Sequence, residues 1–332
     1  MNKNMLVGIN LHNRTYAPYV RTQSQNLDDA AAAGLKIIRF NNVASSAEDI
    51  AEIRSLAEGC HARGMQFMLC IDHYHQWQNW EGSLEELEAH YEQFMENVSS
   101  QLKDTVDIYQ VFNEIDVAGM HGDILNIVLP GASGRELGEY DYVLLDKCFH
   151  AMRGALRGLK KGYPEAKTSM NFAWWHTAPL YDFYKKGCRF DMIGIDWYSD
   201  GEEVSSIDLL VEDVRRTIPD ADIMICETNH WMNLHERWDE AKRALVRNRD
   251  TRNALQAEWV PSFIQKVYDM NEPRFKGVIF YEMLDEPRFE REKGDYHGES
   301  HFGFIECDEE GGNRVFKPAW HTMAEKIKEL NL

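Results

Sequence analysis

The chain has no run of about 18 consecutive apolar residues, the length a membrane-crossing helix needs, so no membrane span is expected of it. It is also short of positive charge, with 36 basic residues against 55 acidic ones for a net charge of −19. Nucleic acids and anionic membranes repel such a surface, so both are excluded as partners and a neutral substrate is the better expectation. No glycine-rich phosphate turn follows the first strand-like run: G-I-N-L-H-N-R-T, starting at Gly8, lacks the spacing a dinucleotide-binding sheet requires. Neither H-E-x-x-H nor zinc-type cysteine spacing occurs. Of the six cysteines, Cys70 and Cys226 fall in apolar runs, and Cys60, Cys148 and Cys188 fall in or near helical segments; with Cys307, all are expected to be reduced and structural. The opening residues M-N-K-N-M-L-V-G-I-N contain no hydrophobic signal region, and a cytoplasmic location is expected. No linker or low-complexity break interrupts residues 1–332, which are expected to form a single domain with a sizeable core, 44% of the residues being hydrophobic.

What the chain does contain is a regular alternation of strand-like and helix-like segments. Eight apolar runs read as strands: 6–12, 36–40, 66–74, 108–114, 167–172, 192–198, 223–228 and 277–282. Their near-continuous apolar character suits strands buried on both faces. Several intervening helices open on capping signals in which a serine oxygen can satisfy free amides: Ser46 with Asp49, Ser83 with Glu86 and Ser205 with Asp208. Eight such units in 332 residues predict an α/β fold, a (β/α)₈ TIM barrel, rather than a doubly wound sheet. In that barrel the carboxyl ends of the strands carry the chemistry.

Two glutamates close such runs: Glu114 in I-Y-Q-V-F-N-E-I and Glu227 in A-D-I-M-I-C-E-T-N-H. A charged side chain at the end of a buried strand is costly unless function retains it, so the pair points to acid/base or nucleophile work.

Asn113-Glu114 ending the fourth strand and Glu227 ending the seventh resemble the clan A glycoside hydrolases. Arg39 ending the second strand, Asp196-Trp197-Tyr198 ending the sixth and Tyr281-Glu282 ending the eighth strengthen the resemblance, which spans the whole chain. It implies a retaining hydrolase of neutral β-linked oligo- or polysaccharides that needs no cofactor and has no metal ligand. Glu114 would be the acid/base and Glu227 the nucleophile. Arg39 would hold Glu227 ionised, Asn113 would bond the substrate 2-hydroxyl, and Tyr198 would donate to Glu227. Ile115 stands where many relatives have proline, and Glu282 stands near where many have tryptophan. Families 53, 5 and 39 share parts of the pattern. The segment E-S-H-F-G-F-I-E-C-D, followed by K-P-A-W, resembles the clan's closing loop and last helix.

Trp174, Trp175 and Trp231 follow strand ends and are candidate sugar platforms, whereas Trp77, Trp80 and Trp197 read equally as core. His12, His73, His75, His176, His230, His297 and His301 gather at the same end; His176 is a candidate hydroxyl partner, as is Glu282. The stretch 119–135 is expected to form one wall of the site. Two rival readings remain: a metal-dependent sugar isomerase or epimerase using Glu114, Asp196, Glu227 and histidines, and a binding barrel that has lost catalysis.

Overall fold

Burial along both faces explains why the apolar runs become parallel strands: nearly every residue in them is shielded from solvent. The computed structural model describes residues 4–72, 74–116, 133–199, 206–230, 240–294 and 296–332. Its strands are β1 (Leu6–His12), β2 (Ile37–Asn42), β3 (Gln66–Ile71), β4 (Ile108–Val111), β5 (Thr168–Ala173), β6 (Met192–Asp196), β7 (Asp222–Glu227) and β8 (Phe275–Phe280). They pair in chain order, β8 closes onto β1, and helices between them complete a (β/α)₈ barrel.

Inside the barrel, Ile37, Met68, Ile108, Met192, Met224, Cys226 and Ile279 form their own apolar cluster. Ile37 and Arg39 share one face of β2, since side chains alternate along a strand, so Arg39 rises from this apolar floor towards the carboxyl ends. The larger core lies between the strands and the surrounding helices. There the helices Leu84–Gln101 and Tyr142–Gly162 approach closely because Gly154 and Gly158 lack side chains; a Cβ on either would come within 2.1 Å of the carbonyl oxygens of Glu88 and Glu92.

The capping signals at Ser46 and Ser83 form reciprocal boxes with Asp49 and Glu86. Ser205 lies outside the described residues, and the helix Ile207–Thr217 takes Ser206 as its N-cap. A short hairpin, β9 (Ile305–Glu306) with β10 (Val315–Phe316), leads into the last helix, Pro318–Leu330. No helix among the described residues is long and apolar enough to cross a membrane.

The expected strand ends need correction in four places. β3, β4, β6 and β8 stop two to three residues early, so Asn113, Glu114, Tyr198, Tyr281 and Glu282 lie on turns beyond the ladder. Apolar character continues past the last paired residue because these turns fold over the barrel mouth and are themselves buried, and residue pattern cannot distinguish the two kinds of burial.

Candidate active site

The mouth of the barrel is organised by Arg39, which is fully buried on β2. It donates to Glu227 Oε1 at 2.7 Å, Asn10 Oδ1 at 2.9 Å, Gln110 Oε1 at 2.9 Å, Asn113 Oδ1 at 2.6 Å and Asn41 Oδ1 at 3.3 Å. Its acceptors come from β1, β2, β4, β7 and the turn after β4, so a single guanidinium fork ties together most of the strands that carry the site. Glu227 ends β7 and is 6% exposed, with Tyr198 donating its hydroxyl to Oε2 at 2.9 Å. Both carboxylate oxygens therefore have charged or polar donors, the arrangement that stabilises an ionised carboxylate.

Glu114 reaches the same space by a distorted turn. Phe112 and Glu114 both have left-handed backbone, with φ of 63° and 38°. Such a conformation costs a non-glycine residue about 1–3 kcal/mol and persists only where the surroundings enforce it. Here the Phe112 amide donates to the Ile71 carbonyl at 3.0 Å, the Gln110 side chain donates to the Phe112 carbonyl at 2.9 Å, and the Glu114 amide donates to Asn171 Oδ1 at 2.9 Å. The turn brings one carboxylate oxygen of Glu114 within 4.8 Å of one each from Asp196 and Glu227. A register shift between Ile195 and Asp196 sets Asp196 opposite Glu227 on the neighbouring strand.

The electrostatics separate the members of this cluster. Part of Glu114 remains accessible, but its carboxyl is surrounded by protein. Desolvation, then the negative charges of Glu227 and Asp116, hold its pKa well above the usual carboxylate range, with Arg39 pulling the other way. Burial and the same two glutamates raise Asp196, again against Arg39. Burial pushes Asp72 up to about 7. A carboxyl whose pKa is raised, beside one that accepts from a guanidinium and a phenol, is an arrangement that suits an acid and a nucleophile.

Asn113 is positioned for a single orientation. Its Oδ1 accepts from Arg39 Nη2 at 2.6 Å and from Asn171 Nδ2 at 2.9 Å, which leaves its amide nitrogen to act as a donor towards a ligand.

The remaining candidates divide. Trp174 is half-buried with φ of 53°, its ring 5.5 Å from that of the buried Trp197. Trp175 lies under the Arg135 guanidinium at 4.0 Å, in an outer groove shared with Thr177, Tyr181 and Leu209. His176 shares a hydrogen bond of 2.8 Å with Asp116, a fully buried carboxylate that also accepts from the Ala173 amide at 3.1 Å. Glu282 is completely buried, accepting from the Tyr19 hydroxyl at 2.8 Å and lying 2.9 Å from His12 Nε2; it belongs to a second cluster rather than to an open sugar surface. Trp231, His73 and residues 119–132 of the expected wall lie outside the described residues.

Residue pattern overlooked Asn10, Gln110, Asn171 and Asp116. The first three carried a usable signal, each being a lone amide inside an otherwise apolar strand run. Asp116 carried none, because its role arises from a contact with His176, sixty positions later.

No protein-family model and no curated protein sequence matches the chain. Solved structures do. A hyperthermophilic β-glucosidase from Pyrococcus furiosus superposes with a TM-score of 0.72 at 13% identity, over 99% of this chain and 96% of that one. A family 1 β-glucosidase from Thermotoga maritima gives 0.71 at 12% identity, over 100% and 98%. A β-glycosidase gives 0.70 at 11% identity, over 99% and 97%. At these identities the shared property is the fold: the chain is a (β/α)₈ barrel of the kind those enzymes use.

Proposed function

We propose that the protein is a retaining β-glycoside hydrolase of clan A type acting on neutral β-linked oligo- or polysaccharides, with Glu227 as nucleophile and Glu114 as acid/base. The observation that carries the reading is the spacing of the two carboxylates, whose nearest ligand oxygens lie within 4.8 Å. That proximity is compatible with double displacement, where the carboxyls stand about 5–5.5 Å apart, and the donors that Arg39 and Tyr198 give Glu227 support it as the nucleophile. The β-glucosidase activity of proteins with the same fold supports the substrate class.

In this mechanism Glu227, held ionised by Arg39 and Tyr198, attacks the anomeric carbon as the bond to the glycosidic oxygen breaks. Glu114 gives its proton to that oxygen, so the leaving group departs as a neutral alcohol. Water then gives a proton to the Glu114 carboxylate and attacks the anomeric carbon, releasing Glu227 and the sugar with its original configuration. Asn113 bonds the substrate 2-hydroxyl, a contact of the kind that strengthens in the transition state.

The isomerase reading would place a metal among Glu114, Asp196 and Glu227, which are close enough to share one. Arg39 argues against it, because a fixed positive charge 2.7 Å from Glu227 already occupies the electrostatic role of a cation.

The test is hydrolysis of aryl β-glycosides and β-glycans by wild type, Glu227→Ala and Glu114→Ala, with the product anomer read by NMR. Glu227→Ala is expected to lose at least ~10⁴-fold in kcat, whereas Glu114→Ala keeps turnover on activated aryl leaving groups and loses it on glycans. Equal, modest losses in both variants, or an inverted product, would overturn the assignment.

A further inference from the structure

Beside the catalytic carboxylates is a second buried cluster that the hydrolytic mechanism does not use. β1 ends at His12, 4% exposed, and the turn after β8 lays Glu282 and Glu286 against it, at 0% and 1% exposure. His12 Nε2 is 2.9 Å from Glu282 Oε2 and 3.9 Å from Glu286 Oε1. One donor atom from each of the three lies within 4.8 Å of the others. The Tyr281 hydroxyl is 3.1 Å from the same imidazole nitrogen, and the Tyr19 hydroxyl donates to Glu282 Oε2 at 2.8 Å.

We propose that His12, Glu282 and Glu286 form a binding site for a divalent transition cation of the zinc or manganese class, which fastens the turn after β8 to the end of β1. Four observations carry this beyond mere proximity.

Glu286 Oε1, the oxygen that faces His12 Nε2, is buried without a hydrogen-bond partner, as is Glu282 Oε1. Buried carboxylate oxygens are ordinarily saturated, so an unpartnered Glu286 oxygen facing an imidazole marks a place where something else is bound.

The spacing also fits. Donors about 2.0–2.2 Å from a common ion lie roughly 3.0–3.5 Å apart, and the observed 2.9 and 3.9 Å bracket that range.

Positive charge meets the cluster at its margin. Two buried carboxylates face one imidazole, and the nearest guanidinium is that of the part-exposed Arg288, 3.5 Å from Glu286 Oε2 at the margin.

Finally, one imidazole nitrogen with carboxylate oxygens and a phenolic hydroxyl is a mixed nitrogen and oxygen set. It favours borderline or hard divalent ions over soft monovalent ones. The Tyr19 hydroxyl, which also accepts from the Leu284 amide at 3.1 Å, supplies the outer support that orients a ligating carboxylate.

The site departs from the expectation that no metal is bound, and it does not depend on the glycosidase reading, because its readout is metal content rather than turnover. The experiment strips the full chain with chelator, dialyses it against zinc or manganese, and measures retained metal by mass spectrometry alongside the thermal midpoint. Wild type is expected to retain one ion per chain and to gain thermal stability. Glu286→Gln, which keeps the shape and removes the charge, is expected to retain none, while Glu227→Gln keeps its ion. Should Glu286→Gln fail to fold, His12→Gln makes the same test. Wild type retaining neither metal would overturn the proposal and leave shared protons as the answer to the buried charge. Loss in Glu227→Gln with retention in Glu286→Gln would overturn it as well, by placing the ion on the catalytic carboxylates.

Discussion

Two clusters of carboxylates meet at the barrel mouth, and they differ in how their charge is answered. Glu114, Asp196 and Glu227 are gathered with Arg39, a buried guanidinium whose donors are matched to carboxylate and amide acceptors from four strands and a turn. His12, Glu282 and Glu286 have an imidazole, two tyrosine hydroxyls and unpartnered oxygens. The first arrangement gives one carboxylate charged and phenolic donors while burial raises the pKa of its neighbour, which suits a two-carboxylate reaction. The second has the part-exposed Arg288 only at its margin, 3.5 Å from Glu286 Oε2, which is the setting for the proposed ion.

The sharpest way to break the comparison is to remove the guanidinium. Arg39→Met is expected to cost about 3–5 kcal/mol in urea unfolding, because it leaves Glu227 buried without its partner. Activity should be lost with it. Were stability unchanged, Arg39 would not be the organising charge of this cluster.

A smaller effect is expected from Tyr198→Phe, which removes the hydroxyl and with it the 2.9 Å bond to Glu227 Oε2. Hydrogen bonds to charged groups contribute about 1.5–3 kcal/mol, so kcat/KM should fall roughly 10- to 100-fold with the fold intact.

Next comes the pH profile of Asp116→Asn. Glu114 must be protonated to assist departure, so activity is lost as pH rises through its raised pKa. The charged groups acting on Glu114 are Glu227, Asp116 and Glu299, which raise that pKa, and Arg39, which lowers it. Removing the Asp116 charge takes away one raising contribution, so the basic limb of kcat/KM should move to lower pH, while the asparagine can keep the bond to His176. An unmoved limb would mean that Asp116 acts on the turn and not on the proton.

The least effect is expected from Trp175→Ala. This residue stacks with Arg135 in the outer groove, a contact worth about 0.5–1 kcal/mol at an exposed site, so KM for short substrates should change by less than about 5-fold. A large rise in KM would bring that groove into the substrate path.

Much of this was legible beforehand, for identifiable reasons. The eight strands could be read because a doubly buried strand has to be apolar throughout, whatever its neighbours are. The capping boxes at Ser46 and Ser83 are local, spanning four residues, and formed as spelled. Arg39 and Tyr198 do contact Glu227, as the family pattern implies. Glu282 and His176 were read as candidate sugar partners, and their partners in the structure, His12 and Tyr19 for the one and Asp116 for the other, were not legible. A polar residue near a strand end can turn to the cleft or to a neighbouring loop, and its own sequence context is the same in both cases.

The sequence by itself determined the barrel, the order of its strands and the presence of two glutamates at their carboxyl ends, because these depend on periodicity and on the cost of burying charge. The tertiary structure alone decided that Glu114 turns back through left-handed backbone to within reach of Glu227, that one arginine serves five oxygen acceptors, and that His12 meets Glu282 and Glu286 across about 270 positions of chain. Those arrangements depend on which distant side chains share a small buried volume, and only closure of the barrel brings them together.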